Sequence, residues 1–146
     1  MSHAAARITA LAFAVFASAV ILCTAVPDAV SAPDDPGLPE APRIVSLAPH
    51  LTELAFEAGI GDTLVGVVEW SDFPAAAASL PRIGDAFRFD LEKILRLRAT
   101  HALAWDGGTP PGAIAELEAL GVTVEIIETG TLDQIGAAIE RLGMLG

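Results

Sequence analysis

The sequence predicts an α/β fold in which a mostly parallel sheet is flanked by helices. Two observations lead to this prediction. Short apolar runs typical of buried strands alternate with helix-like segments about four times between Arg43 and Gly146. The composition, with 53% hydrophobic and 18% charged residues among 146, also allows one domain to bury a packed core.

The first elements read as strand, helix, strand and a long loop. Residues 44–47 are a short apolar run suited to a buried strand. Residues 50–58 place apolar side chains on one helical face, and Gly59 stands where a helix C-terminal cap belongs. A second strand is predicted at residues 64–68 and a long loop at residues 69–81. The side chains expected to face inward from the helix are Leu51, Leu54, Ala55 and Ala58.

The middle of the chain repeats the alternation. Residues 82–84 predict a very short third strand, and Asp90 is the expected N-cap of the next helix. A strand follows at residues 101–105, with Gly107-Gly108 as its exit turn. The helix after Asp90 is expected to bury Leu91, Ile94 and Leu95.

The last elements are helix, strand and helix. Pro110-Pro111 is typical of a first helical turn, and Gly121 ends that helix. Residues 122–127 form a β-branched strand, and Thr131 with Gln134 predicts a capping box. The side chains expected to be buried are Ile114, Leu117 and Leu120 from the first helix, and Leu132, Ile135, Ile139 and Leu142 from the second.

Residues 1–32 have the layout of a cleavable secretory signal peptide, which predicts a periplasmic location. A weakly basic start precedes an apolar run, and Val30-Ser31-Ala32 offers small residues for cleavage. Cleavage after Ala25 is the alternative because Pro33 follows the first site, and a retained membrane anchor is the competing interpretation.

Cys23 is the only cysteine, and it is predicted to be an apolar member of the signal rather than a lipid anchor. A lipid-modified cysteine normally follows a small residue, whereas Leu22 precedes this one. The mature chain would then have no cysteine for disulfides or thiolate metal sites. Residues 33–42 are predicted to be a proline-rich, acidic linker.

The formal net charge of −11 argues against two classes of partner. Nucleic-acid binding needs clustered lysines and arginines to meet the phosphates. An anionic membrane surface would repel such a chain for the same reason. We therefore predict a partner that is neither nucleic acid nor membrane lipid.

Ligands of parallel sheets bind beyond the carboxyl ends of the strands, in the loops that lead into helices. Both tryptophans, Trp70 and Trp105, fall at predicted strand ends, which favours ligand contact over packing in the core. The ligand-side loops are residues 48–50, 69–74, 84–89 and 105–109. The aromatic residues expected to be exposed there are Trp70, Phe73, Phe87, Phe89 and Trp105.

Catalytic and metal sites are the alternatives of a different class. His50 and Glu53 could share a metal with Asp72, although a solvated His50 is favoured and His101 lies at the opposite end of a strand. Ser46, His50 and Asp72 contain the residue types of a hydrolytic triad. Ser46 should lie within a strand and lacks a Gly-x-Ser-x-Gly elbow, so we predict no catalytic residue. Because a solvated His50 is favoured, we also predict no metal site.

Several motifs resemble the helical-backbone (class III) periplasmic binding proteins, whose usual cargoes are cobalamin, ferric siderophores and haem. Residues 42–49 (Pro-Arg-Ile-Val-Ser-Leu-Ala-Pro) with Thr52-Glu53-Leu54 are similar to the opening of that family. Residues 68–74, 90–94 and 104–108 are similar to its vitamin B12-binding members. The resemblance extends from Arg43 to the last residue.

The resemblance implies that residues 43–146 are a Rossmann-like N-terminal lobe that carries cobalamin to the permease of an ABC importer in the inner membrane. Trp70 and Trp105 match family aromatics, and Phe87 is the substitute for a family tryptophan that falls near Ala86. Glu92 matches an acidic residue that docks on the permease. The expected ligand-binding residues are Trp70, Ser71, Asp72, Phe73, Phe87, Trp105, Asp106 and Gly107.

The family pattern also implies a monomer that needs no cofactor and catalyses no reaction. Its second lobe follows a long linking helix, so this lobe is expected to supply one wall of the cleft and to bind cobalamin weakly. A haem or ferric-siderophore carrier is the alternative. Two features favour cobalamin. The chain has no tyrosine to bind haem iron, and the ligand-side loops contain one cation, Arg88, where siderophore carriers favour basic clefts. A metal-dependent hydrolase using His50, Glu53 and Asp72 is the more distant alternative.

Overall fold

The computed structural model describes residues 41–146, which contain a parallel sheet covered by helices on both faces. The predicted signal peptide, Cys23 and most of the predicted linker lie outside the described residues. The strands run in the order β2-β1-β3-β4. They are β1 (Ile44–Ser46), β2 (Leu64–Val67), β3 (His101–Trp105) and β4 (Thr123–Ile127). The α/β class and the parallel sheet are confirmed.

Four α-helices connect or follow the strands. They are α1 (Pro49–Glu57), α2 (Leu91–Arg96), α3 (Pro111–Ala119) and α4 (Leu132–Gly143), with short 3-10 turns at Gly61–Thr63 and Ala75–Ser79. None of the helices in residues 41–146 is both long and apolar enough to cross a bilayer.

Local signals at the helix ends are confirmed. The Asp90 carboxylate accepts a hydrogen bond from the Lys93 N–H, and Thr131 with Gln134 forms both bonds of the capping box. Gly59 follows α1 with a φ of 81°, a left-handed conformation that favours glycine. These ends satisfy backbone groups that helices leave free.

The core has two layers because successive residues of a strand face opposite sides of the sheet. On one side, Ile44 and Leu103 pack with residues of α1 and α4 such as Leu51 and Leu142. The other layer contains Val45 and Ala102 from the sheet, Ile94 from α2 and Leu117 from α3. Each fully buried leucine or isoleucine contributes roughly 1.5–3 kcal/mol.

The predicted third strand at residues 82–84 is wrong. These residues make only isolated bridges, from Arg82 to Val67 and from Gly84 to Phe89. Gly84 has a φ of 115°, which turns the backbone away from the sheet after one bridge. The segment therefore borders β2 without extending the ladder.

Three leucines predicted to be buried in helices are exposed instead: Leu95, Leu120 and Leu132. The helix α2 has only six residues, so it buries Ile94 alone. Leu120 is the C-cap of α3, and Leu132 is the first residue of α4. The helix α4 meets the core further along its length, through Ala138 and Leu142.

Candidate ligand-binding site

The carboxyl ends of the four strands meet at one edge of the sheet. Ser46 pairs with Val67 and Leu103, and Trp105 pairs with Ile127, so the loops that follow these strands lie side by side. The order of strands places β2 and β3 two spacings apart, about 10 Å. The loops that carry Trp70 and Trp105 therefore flank the loop after β1.

The loop after β2 holds Trp70 in a left-handed conformation, with φ of 68°. Such a conformation costs a non-glycine residue of order 1–3 kcal/mol and persists only where neighbouring contacts fix it. The indole is 82% exposed, and Phe73 on the same loop is exposed as well. The strained backbone thus presents an aromatic side chain that is mostly exposed.

The Arg82 side chain holds the loop after β2 through three hydrogen bonds. Its Nη1 donates to the carbonyl oxygens of Val68 (3.3 Å) and Ser71 (2.9 Å). Its Nη2 lies 2.8 Å from Asp72 Oδ1, and the arginine side chain is mostly buried. A guanidinium offers several donors in a fixed plane, so one side chain can hold three acceptors together. We call Arg82 with these acceptors the Arg82 clamp; sequence reasoning missed it.

Ser71 and Asp72, two of the predicted ligand-binding residues, both make contacts within the protein. Ser71 is 1% exposed, and its hydroxyl lies 3.3 Å from the hydroxyl of Thr52 on α1. The carboxylate of Asp72 is exposed, but it is paired with Arg82. Both residues therefore support the loop, whereas their contact with a ligand stays a prediction.

The loop at residues 84–89 is tied to the Trp70 loop, because the N–H of Glu69 donates to the carbonyl of Gly84 at 2.8 Å. The carboxylate of Asp85 accepts the N–H groups of Phe87 and Arg88, each at 2.8 Å. These two bonds hold the pKa of Asp85 below its usual value. The resulting turn leaves Phe87 75% exposed.

Phe89 differs from the prediction, since it packs against the core rather than lying exposed. Its bridge to Gly84 brings it back toward the sheet after the turn. Phe87 and not Phe89 is therefore the aromatic that this loop presents.

Trp105 ends β3 and is held by its own loop. Its N–H donates to the Thr109 hydroxyl at 2.8 Å, and its carbonyl accepts the Thr109 N–H at 2.9 Å. A Cβ placed on Gly107 would lie 2.8 Å from the indole, and one on Gly108 would overlap the six-membered ring. The glycines are therefore needed because the turn lies directly against the indole, which remains 38% exposed.

His50, which lies on helix α1, also contacts the Trp105 indole. The two ring centroids are 5.1 Å apart and the planes meet at 84°. The imidazole is half-buried, which lowers the pKa of His50, while the charge of Glu53 acts in the opposite direction. The favoured prediction of a solvated His50 is therefore wrong, because the side chain is half-buried and packs against the Trp105 indole.

A depression of about 400 Å³ opens beside Trp105. It is lined on one side by Asp106 and Gly107 and on the other by Glu128, Thr129 and Gly130 of the loop after β4. Sequence reasoning did not include this last loop among the ligand-side loops. The rule that found the others applies to it equally, since it also leads from the carboxyl end of a strand into a helix.

The structure does not assemble the alternative catalytic or metal sites. Ser46 is fully buried and donates to the carbonyl of Ala48 at 3.0 Å. Within residues 41–146, no three histidine, cysteine, aspartate or glutamate side chains are grouped closely enough to hold a metal. His101 lies at the amino end of β3, where its Nδ1 is 2.9 Å from the Thr100 hydroxyl.

Glu92 lies in the first turn of α2, apart from the residues that line this depression. Its carboxylate is exposed and makes a 3.4 Å contact with Arg96 one turn later. Such an exposed pair contributes at most about 0.5 kcal/mol, so the carboxylate stays available to another partner.

The sequence is similar to curated vitamin B12-binding proteins, although no family model matches it. The relative from Vibrio cholerae serotype O1 is 47% identical over 102 residues, which cover 70% of this chain and 37% of the relative. A relative from Pectobacterium carotovorum is 37% identical over 100 residues, 68% of this chain and 36% of its own. The chain thus spans little more than a third of the length of these relatives.

Solved structures of periplasmic binding proteins share the fold. The periplasmic vitamin B12-binding protein of Vibrio cholerae matches with a TM-score of 0.68 and 45% identity, over 71% of this chain and 41% of that one. A periplasmic haem-binding protein from Pseudomonas aeruginosa matches with a TM-score of 0.64 and 30% identity, over 70% and 37%. Over this shared part, the chain belongs to the class III periplasmic substrate-binding proteins, the family that includes the vitamin B12-binding proteins.

Proposed function

We propose that residues 43–146 form the N-terminal lobe of a periplasmic binding protein and supply one wall of a corrinoid site for an ABC importer. The observation that carries this proposal is the set of exposed aromatic rings on firmly anchored loops at one sheet edge: Trp70, Phe73, Phe87 and Trp105. A broad, flat ligand gains most from such rigid apolar surfaces. In this proposal the exported chain acts as a monomer, needs no cofactor and catalyses no reaction.

The charges around these rings favour a corrinoid over haem or a ferric siderophore. Arg82, which borders these loops, is paired with Asp72, and Arg88 is the one lysine or arginine within the ligand-side loops of residues 41–146. The carboxylates there are Glu69, Asp72, Asp85, Asp106 and Glu128. A negative edge repels the propionates of haem and anionic ferric chelates, but it does not repel a neutral or cationic corrinoid.

Cyanocobalamin is expected to bind this chain weakly and at the aromatic loops. In a titration of the ¹⁵N-labelled chain, the two indole N–H signals should shift together with amides of residues 69–73 and 105–109. We expect a dissociation constant between about 10 μM and 1 mM, because a single wall covers one side of the ligand. Haemin should leave these signals unchanged.

Two outcomes would count against the proposal. If haemin shifts the indole signals and cyanocobalamin does not, the haem-carrier alternative is correct. Nanomolar binding of cyanocobalamin by this chain would instead refute the assignment of a single wall.

Truncating either tryptophan should weaken corrinoid binding. Trp70→Ala and Trp105→Ala are each expected to raise the dissociation constant about tenfold, because a contacting aromatic contributes at least about 1.4 kcal/mol. Leu120→Ala removes an exposed apolar side chain from the end of α3 and is the control, with an unchanged constant expected. Equal affinities for all three variants would place the ligand elsewhere.

Glu92 is proposed to dock this lobe on the permease of a vitamin B12 importer. Its exposed carboxylate and weak pairing with Arg96 leave it free to meet a cationic residue. Glu92→Gln should weaken binding to the permease in nanodiscs about tenfold, measured by interferometry, whereas Glu118→Gln on α3 should not. The docking role is refuted if the two variants bind equally.

A further inference from the structure

His50 carries the one buried side-chain nitrogen or oxygen in residues 41–146 that has no hydrogen-bond partner, its Nε2. A buried polar atom left without a partner costs roughly 1–3 kcal/mol. The ring that carries this atom stands almost perpendicular to the Trp105 indole, with centroids 5.1 Å apart. The orphan nitrogen and the aromatic contact therefore belong to the same side chain and require a common explanation.

An N–H group can be accommodated against the face of an aromatic ring, whose π electrons act as a weak acceptor. An edge-to-face arrangement of the two rings suits such a contact, and 84° is close to the ideal right angle. This interpretation requires a proton on Nε2, which in the neutral imidazole is the tautomer protonated at that nitrogen. It also accounts for a buried nitrogen without a conventional acceptor.

We propose that His50 is a positioning residue that donates its Nε2–H to the π face of Trp105 and holds the indole against the Gly107-Gly108 turn. The glycine turn lies against the indole from its own loop, and α1 supplies the imidazole. The importance of Trp105 as a wall rests on the proposed function. The contact itself can be tested without any ligand.

The charged surroundings favour the neutral imidazole at neutral pH. Burial lowers the pKa of His50 from 6.5, and the Glu53 carboxylate on the same helix partly offsets that effect. On the strand side, Asp106 follows Trp105 in the chain. On the loop joined to α1 through Thr52 and Ser71, Asp72 is already paired with Arg82.

The direction of the pKa shift fixes how stability depends on pH. Because the folded pKa lies below the unfolded value of 6.5, the unfolded chain binds the proton more readily. The stabilisation from neutral His50 is therefore complete above pH 6.5 and declines as pH falls through that value toward the folded pKa.

Fluorescence of Trp105 provides the test, since Trp70→Phe leaves a chain with one tryptophan. Protonated imidazole quenches a neighbouring indole, so emission should be lost as pH falls from about 8 to about 5, with a midpoint below 6.5. In the same background, His50→Gln should remove this step. His101→Gln is the matched control, because it removes a histidine at the other end of β3 and should preserve the step.

Near-ultraviolet circular dichroism distinguishes the proposed N–H contact from simple packing. His50→Leu keeps an apolar side chain but no donor, and it should lose intensity in the Trp105 band. His50→Gln supplies an N–H and should restore part of that intensity, with far-ultraviolet spectra showing that both variants are folded. The proposal is overturned if the pH step survives in His50→Gln or if His50→Leu retains the full band.

Discussion

Gly84→Ala should destabilise the fold by about 3 kcal/mol, the combined cost of a left-handed backbone and a steric overlap. Gly84 has a φ of 115°, and an added Cβ would overlap the carbonyl oxygen of Arg88. Neither partner can move freely, because that carbonyl accepts the N–H of Asp85 and the Gly84 carbonyl accepts the N–H of Glu69. The substitution would therefore disturb both aromatic loops at once.

Urea unfolding followed by circular dichroism measures this effect. In thermal unfolding, the same loss of about 3 kcal/mol should lower the melting temperature by roughly 12–24 °C in a domain of this size. Gly136→Ala is the matched control. Gly136 lies in α4, is exposed, and an added Cβ would meet nothing within 4 Å, so a gain of about 0.5–1 kcal/mol is expected. A Gly84→Ala protein as stable as wild type would show that the turn can rearrange.

Arg82→Met should reduce stability by about 1–3 kcal/mol and loosen the Trp70 loop. Methionine keeps a flexible apolar stem but donates no hydrogen bond, so the carbonyls of Val68 and Ser71 lose the guanidinium. The left-handed backbone at Trp70 then loses the hydrogen bonds at Val68 and Ser71 that hold the loop before and after it. Corrinoid binding should weaken along with the loop.

Arg96→Met is the control for the loss of an arginine. Its guanidinium contacts Glu92 across an exposed helical turn, and its removal should change stability by less than about 0.5 kcal/mol. Hydrogen exchange at the Ser71 amide, which donates to Val68 at 3.4 Å, should accelerate in Arg82→Met and stay unchanged in Arg96→Met. The clamp has no such role if the two variants exchange and unfold alike.

Much of the site could be located from the sequence because loops after parallel strands share one edge. Trp70, Phe73, Phe87 and Trp105 are all exposed in the loops that the strand ends predicted. The roles within those loops were less predictable. Ser71 serves the interior through Thr52, and Phe89 returns to the core, although both lie beside exposed residues in the sequence.

The contacts that fix the aromatic wall escaped prediction for a physical reason. Arg82 reaches back 10 residues to Asp72, and His50 meets Trp105 across two separate elements. Such contacts join side chains brought together by the packing of α1 and the sheet. Neither the period of apolar residues nor a local motif predicts contacts of this kind.

The sequence by itself determined the alternating strands and helices, the caps at Asp90 and Thr131, the edge that carries the tryptophans, and the resemblance to the family. These features depend on local backbone preferences and on the period of apolar residues, both of which are written in short stretches of chain. Only the tertiary structure decided that Leu132 is exposed, that 82–84 is not a strand, and that Arg82 and His50 hold the wall. The reason is that the extent of each helix over the sheet, and the pairing of distant side chains, follow from packing in three dimensions.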